Sequence, residues 1–371
     1  MRQWTVCWLW ALVLGFAAGQ VRAVETDPCI PPDTIFALKI RPRQILTSAL
    51  VKDLGWDELL KTTLAAVGPA QEFLDIAGLR IERDVESILW CMPSSPLVEE
   101  PEVQEWIIDP ETGERIQRQK LPIAGEKPTK MWLLVLQGKF SPKKITKVLE
   151  NHGKSAGAPI RKLKGEGTTI LQMDSPLGPI FLGLEGNGKI IVSNKLERLK
   201  GCLAGKFDKP SNERFLNGME GLTDKESLWV VQAVDGDLKK QMEEGEPADS
   251  GEAAMREAKS FQVCVTIKDG IQGKLTIAAT APRHADSIKT AMTTGLAGWE
   301  KDLAELLKTP KDLEASDNPL EKAGVSVEAA IAYLAVKQGK LEVKGNDMSL
   351  RVGADRKALE PLLKALGLSG Q

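Results

Sequence analysis

The chain has 371 residues, 49 basic and 51 acidic side chains, a formal net charge of −2 and 42% hydrophobic residues. That apolar content excludes a disordered chain, and charges of both signs spread along the sequence leave no basic field for a nucleic-acid partner. Two histidines, and five cysteines with no C-x-x-C pair, exclude the clustered ligand sets of zinc sites.

The first residues read MRQWTVCWLWALVLGFAAGQVRAVETDP. One arginine precedes an apolar run over residues 5–19, and Val21 and Ala23 stand at the −3 and −1 positions of a cleavage site. This is the pattern of a secretory signal peptide over residues 1–23. The run is shorter than the roughly 20 residues needed to cross a bilayer. Later, "AAIAYLAV" stops after eight residues between charges. The expectation is therefore a soluble exported protein, periplasmic or extracellular, with no stable membrane insertion after cleavage. Cleavage removes Arg2 and Arg22 and no acid, so 47 basic residues face 51 acidic ones and the mature charge is about −4.

Period-2 patterning in "TIFALKI" (34–40) predicts a strand, and the apolar spacing after Pro42 through Ile45, Leu46, Ala49 and Leu50 predicts a helix. A second helix is predicted over 56–67, ending at Gly68-Pro69, and strands over 85–92 ("VESILWCM") and 131–138 ("MWLLVLQG"). "SPKKITKVLENHG" reads as a helix with Ser141 as N-cap, Pro142 in the first position and Gly153 as a left-handed stop. "IRKLKG", "TTILQMD", "PIFLGLE" and "KIIVSN" follow as short strands of an antiparallel meander, and a helix over 195–203 closes this half.

The second half starts with the strand "SLWVVQAV" (227–234). "SFQVCVTIKDGIQGKLTIAATA" is a hairpin turning at Asp269-Gly270, and a long helix follows Pro282. "KLEVKGNDMSLRVGADRKALEPLLKAL" ends the chain as strand, turn, strand and helix, in the order that closes the first half. The expected fold class is α+β, with two tandem similar domains, each an antiparallel sheet backed by helices on one face. The first domain spans 24–206 with a hairpin insertion over 97–130, and the second spans 207–371. Of the four cysteines after the leader, Cys29 and Cys91 each lie at the end of a strand and make the most plausible bridge, though a chain with a core of this size does not depend on one.

"HGKSAGAP" (152–159) carries Gly153, Ser155 and Gly157 in the G-x-S-x-G spacing of a serine hydrolase. A nucleophile elbow needs a strand before the serine and a helix after it; here a helix precedes and a strand follows, with Ser155 expected in a loose connection. A phosphate loop is excluded because Val148 stands where its first glycine belongs and the segment closes a helix instead of opening one. His152 in the last helical turn reads as a cap for free carbonyls, and His284, beside Arg283 and Asp286 in the first turn of the later helix, as part of a solvated face. No residue is assigned a catalytic, cofactor-binding or metal-binding role. The acidic segment over 242–258 begins as a loop and becomes a helix.

The arm over 97–130 carries the one functional expectation. Its "EWIIDPETGERIQ" is a hairpin turning over 109–113, with Trp106 and Ile108 on one face and Ile107 on the other, so bulky apolar groups face water unless something covers them. Trp106, Ile108 and Arg115 are the candidate residues for a protein partner or self-association.

The segments "PPDTIFALKIRPRQILTSALVKDL", "AGLRIERDVESILWCM" and "QGKFSPKKITKVLENHG" resemble words that recur in large families of uncharacterised exported proteins of planctomycete-type bacteria: a strand opening P-x-D, a glycine-to-aspartate segment and a G-x-F segment. The resemblance implies an exported α+β repeat protein and carries no catalytic residue. The leading functional expectation is a non-enzymatic exported protein that binds a macromolecule or ligand in the cell envelope, with no cofactor. The alternatives are a hydrolase with an unrecognised carboxylate site and a carrier of a hydrophobic ligand.

Overall fold

A computed structural model describes residues 27–53, 79–93, 104–108, 115–119, 131–155, 160–164, 168–175, 178–186, 188–205, 207–244, 250–306, 338–355 and 357–358. The expected leader over 1–23, the helix over 56–67 and most of the closing helix after 355 lie outside the described residues.

Twelve strands form one antiparallel sheet. From the middle outward on one side run β1 (Phe36–Ile40), β2 (Val85–Met92), β5 (Leu133–Gly138), β9 (Lys189–Ser193), β8 (Gly178–Glu185), β7 (Thr169–Ser175) and β6 (Arg161–Lys164). On the other side β1 pairs with β10 (Leu228–Ala233), followed by β11 (Ala258–Ile267), β12 (Gly270–Ala279), β14 (Asp347–Asp355) and β13 (Lys340–Lys344). Two further strands, β3 (Gln104–Ile108) and β4 (Arg115–Gln119), pair only with each other as a second sheet.

Helices cover both faces of the large sheet, which corrects the expectation of one covered face. On one face the centre is filled by Ala37, Leu89, Cys91, Leu133, Val135, Ile191, Trp229, Val231 and Cys264. Against them pack Cys29 and Ile30, Leu199 and Cys202 of the helix Leu196–Leu203, and Phe215 of the helix Glu213–Met219. The opposite face holds two clusters. Leu136, Leu182, Ile190 and Val192 meet Ile145 and Leu149 of the helix Pro142–Ser155. Val263, Leu275, Ile277, Met348 and Leu350 meet Leu238 of the helix Gly236–Glu244 and Ala285 and Ile288 of the helix Pro282–Leu306.

The physical reason lies in the strand texts. In "KIIVS" and "LWVVQA" nearly every residue is buried, the continuous apolar run of a strand covered on both faces. In "DMSLRVGAD" burial alternates strictly, because that outer strand is covered on one face.

Local chemistry adjusts other expectations. The helix after β1 is two short ones, Pro42–Leu46 and Ala49–Asp53. Thr47 Oγ1 donates to the Arg43 carbonyl at 2.7 Å, and Ser48 Oγ accepts from the Val51 N–H at 3.3 Å as the cap of the second helix. The helix from Pro142 runs through Gly153 to Ser155, and Gly153 is not among the glycines with positive φ. Ser155 therefore ends a helix instead of sitting in a loose connection; the order helix then strand, which rejected the nucleophile elbow, is unchanged. Both sheet edges are charged: Arg161 and Lys162 on β6, and Lys340, Glu342 and Lys344 on β13, are exposed, which discourages further strand pairing.

Gly138 ends β5 where the β2–β5 register shifts between Val85 and Ser87. A Cβ there would lie 1.9 Å from the Asp84 carbonyl oxygen and 2.9 Å from the Phe140 ring. We expect Gly138→Ala to cost about 3 kcal/mol or more in urea unfolding, since a backbone atom has to move. Gly295, inside the Pro282–Leu306 helix with open space around it, provides the contrast: Gly295→Ala should stabilise by about 0.5–1 kcal/mol.

Candidate functional site

A polar depression of about 450 Å³ is lined by Asp33, Ser211, Asn212, Glu213, Arg214 and Asp235. Asn212 caps the helix Glu213–Met219, its side-chain oxygen accepting from the N–H groups of Arg214 at 3.0 Å and Phe215 at 3.1 Å. Its amide nitrogen donates to Asp235 Oδ2 at 3.0 Å, while Asp235 Oδ1 accepts from the Gly236 N–H at 2.8 Å. Arg214 donates to the Val234 carbonyl, and Asp33 pairs with Arg198. Ser211 donates both its N–H, at 2.9 Å, and its hydroxyl, at 3.1 Å, to the Pro32 carbonyl. These bonds fasten the segment around Ser211 and the strand end at Asp235 to the N-terminal segment. The three carboxylates Asp33, Glu213 and Asp235 share one wall, and two of them are already engaged by Arg198 and Asn212.

A second polar cluster surrounds His284, half-buried instead of lying on a solvated face. Thr280 Oγ1 lies 2.5 Å from His284 Nδ1 and donates to Glu257 Oε2 at 2.7 Å; His284 Nδ1 is 3.2 Å from the same carboxylate oxygen. Arg283 Nε donates to His284 Nε2 at 3.1 Å. Threonine, histidine and glutamate are thus wired in the wrong sense for a nucleophile and its base, which needs the hydroxyl to donate to the histidine. The cluster instead ties the start of the Pro282–Leu306 helix to the turn before β11.

A third joint involves the motif residues themselves. Asp84 Oδ2 accepts from the Arg80 N–H at 2.9 Å, and Arg83 grips the same carboxylate through Nε at 2.7 Å and Nη2 at 2.8 Å. The Asp84 carbonyl accepts from the Lys139 N–H at 2.9 Å. The backbone of the aspartate in "RIERDVES" thereby meets Gly138 and Lys139 of "QGKF".

All four cysteines of the described residues are buried thiols. The expected Cys29–Cys91 bridge is not formed; the Cys29 thiol is hydrogen-bonded to Cys202. Burial pushes the Cys91 thiol well up and Cys264 up to about 12.

Of the arm, the structure places the backbone. Trp106 pairs in register with Gln117, Ile107 with Ile116 and Ile108 with Arg115. The three candidate residues Trp106, Ile108 and Arg115 therefore share one ladder, and Ile108 and Arg115 are directly opposite. Its turn over 109–113 lies outside the described residues. His152 lies in the last turn of its helix. Sequence reasoning did not single out Asp27, Lys39 or Cys202, because Lys39 reads as one more strand position until Asp27 meets it and Cys202 gains Cys29 from the other end of the first half.

In comparison with known proteins, the chain matches no family model, no curated protein and no solved structure. Among the described residues no helix is long and apolar enough to cross a membrane, and no group of three or more metal-ligating side chains gathers.

The Arg83 guanidinium beside Asp84 holds that carboxyl below the usual carboxylate range. A depressed carboxyl contributes stability above its unfolded value near 4, and that contribution fades as pH falls through the lower folded value. Wild type should therefore be more stable than Asp84→Asn at pH 7, and the difference should shrink below about pH 4. Urea melts of both proteins from pH 7 to pH 2 check this.

Proposed function

We propose that this is an exported, non-enzymatic protein of the cell envelope that engages a protein partner, or a second copy of itself, through the β3–β4 arm. The observation that carries the reading is that the arm forms a sheet of its own. A two-stranded ladder alone is marginal in water and needs another surface against it. The text "EWII" opposite "RIQ" supplies Trp106, Ile107, Ile108 and Ile116 for that purpose, with Arg115 to add a charged contact. The charged edges of the large sheet favour the arm over strand addition as the point of contact.

We also infer that the chain is a tandem repeat, with residues 24–206 matched by 207–371. Outward from β1 the order is β2, β5, β9, β8, and outward from β10 it is β11, β12, β14, β13. In each half a helix follows the third strand, Pro142–Ser155 after β5 and Pro282–Leu306 after β12. Laying Leu38 on Val230 carries the pair Ala37 and Cys91 onto the pair Trp229 and Cys264. This supports the placement of "SFQVCVTI" as the counterpart of "VESILWCM". The first half then differs by the arm and by β6 and β7. Kinship with the exported planctomycete-type proteins belongs to the same proposal.

The hydrolase alternative would have to use the carboxylates around Asp33 and Asp235. A test of the arm is more direct. Burying Trp106 on association is worth on the order of 2–3 kcal/mol, so Trp106→Ala should weaken self-association in sedimentation, or capture of an envelope protein, by roughly a hundredfold with an unchanged melting temperature. A lower melting temperature with association intact would show that the arm packs on its own chain and would sink the proposal.

A further inference from the structure

A buried thiol pair with an organised surrounding lies at the helix Leu196–Leu203, which packs on β9 and β8. Cys29 is 1% exposed and Cys202 2%, and both belong to the apolar cluster that seals the central face. Cys29 sits in the segment before β1, and Cys202 in the last turn of the helix Leu196–Leu203. Their thiols are hydrogen-bonded to one another although 173 positions separate them in sequence. The backbone at Cys29 is fixed as well. Its N–H donates to Asp27 Oδ1 at 3.1 Å, and Asp27 Oδ2 accepts from Lys39 Nζ of β1 at 3.1 Å in a largely buried ion pair. Cys91 lies on the same face, on β2, but its nearest strand partner is Ala37.

We propose that Cys29 and Cys202 form a disulfide site, where oxidation by a small-molecule or protein disulfide locks the N-terminal segment onto the Leu196–Leu203 helix. The chemistry is thiol–disulfide exchange. The Cys29 thiolate attacks one sulfur of the oxidant, forming a mixed disulfide and releasing the first thiol. Cys202 sulfur then attacks Cys29 sulfur, displacing the second thiol. Two protein thiols and one oxidant disulfide become one protein disulfide and two thiols, and both thiol protons leave on the released thiols.

In the docked state the pair is polarised. Cys202 donates its S–H to Cys29, which holds the Cys29 thiol below its ordinary value and pushes Cys202 up. Because both sulfurs are buried, the bridge closes as the N-terminal segment docks during folding, and once closed it is shielded from reductants. The site is independent of the arm.

The test refolds the full chain from denaturant in reduced and oxidised glutathione, alkylates free thiols and digests the product for mass spectrometry. The expected product is a Cys29–Cys202 linked peptide pair, with Cys91 and Cys264 alkylated only after denaturation. Because the bridge closes a long loop, the oxidised protein should melt on the order of 10 °C above the same protein in dithiothreitol. Cys202→Ala should lose that redox-dependent difference and Cys264→Ala should keep it. Recovery of Cys29 and Cys202 as free alkylated thiols, or a Cys29–Cys91 link, would overturn the proposal. So would a redox-dependent difference that survives in Cys202→Ala. The peptide map of the unmutated chain decides the matter even if a variant fails to fold.

Discussion

The five residue pairs between β1 and β10, from Phe36 opposite Gln232 to Ile40 opposite Leu228, join two stretches of chain about 190 residues apart. The flanking bonds extend the seam, Arg41 N–H to the Ser227 carbonyl at 2.8 Å and Ala233 N–H to the Ile35 carbonyl at 2.7 Å. Closing so long a loop costs conformational entropy that a handful of ladder bonds, worth roughly 1 kcal/mol each net, would not offset alone. The central cluster supplies the remainder. Ala37 and Val231 face it from the two sides of the seam, and Phe215 and Leu199 belong to the same cluster. Gly218 lets its helix sit close on Val231, where a Cβ would come within 2.7 Å, and Gln262 Nε2 fixes that helix end by donating to the Gly218 and Glu220 carbonyls at 2.8 and 2.7 Å. Without the seam the large sheet would be two smaller ones.

The same cluster explains the placement of charge in the middle of the sheet. Lys39 points from β1 to the covered central face, where its only acceptable environment is a partner carboxylate, and Asp27 provides it from the N-terminal segment. A buried pair of this kind adds little net stability over an apolar pair, but removing one partner strands a charge. It therefore acts as a positional constraint. Asp27 cannot leave Lys39 cheaply, and the same carboxylate fixes Cys29 beside Cys202. The arrangement of the thiols follows from the seam in this way.

Much of this was legible in the residues. Strand β2 lies over the stretch its alternation marks, Pro142 opens its helix, and the Asp269-Gly270 turn joins β11 to β12. The distinction between runs and alternation even encodes coverage: "KIIVS" is sealed on both faces and "KLEVK" on one at most. What could not be read was long-range. A lysine in "FALKI" looks like an exposed alternation position until Asp27 arrives, and the strand ends point Cys29 to Cys91 and give no sign of Cys202. Gly153 misled because a glycine near a histidine resembles a helix stop, yet it is buried within the helix and needs no left-handed backbone. The candidate residues of the arm were named from apolar text with no core of their own, and the ladder that pairs Ile108 with Arg115 follows the same text.

The central claim is that a single twelve-stranded sheet, closed by the β1–β10 seam, makes the two halves of the chain one cooperative unit. Native-state hydrogen exchange measures this directly, since amides that open only by global unfolding share one free energy. The account predicts that the seam amides of β1 and β10 exchange with the slowest class, together with those of β5 and β12 on either side. Exchange of one half at a markedly lower free energy while the other stays protected would mean that the halves fold separately, and would contradict it.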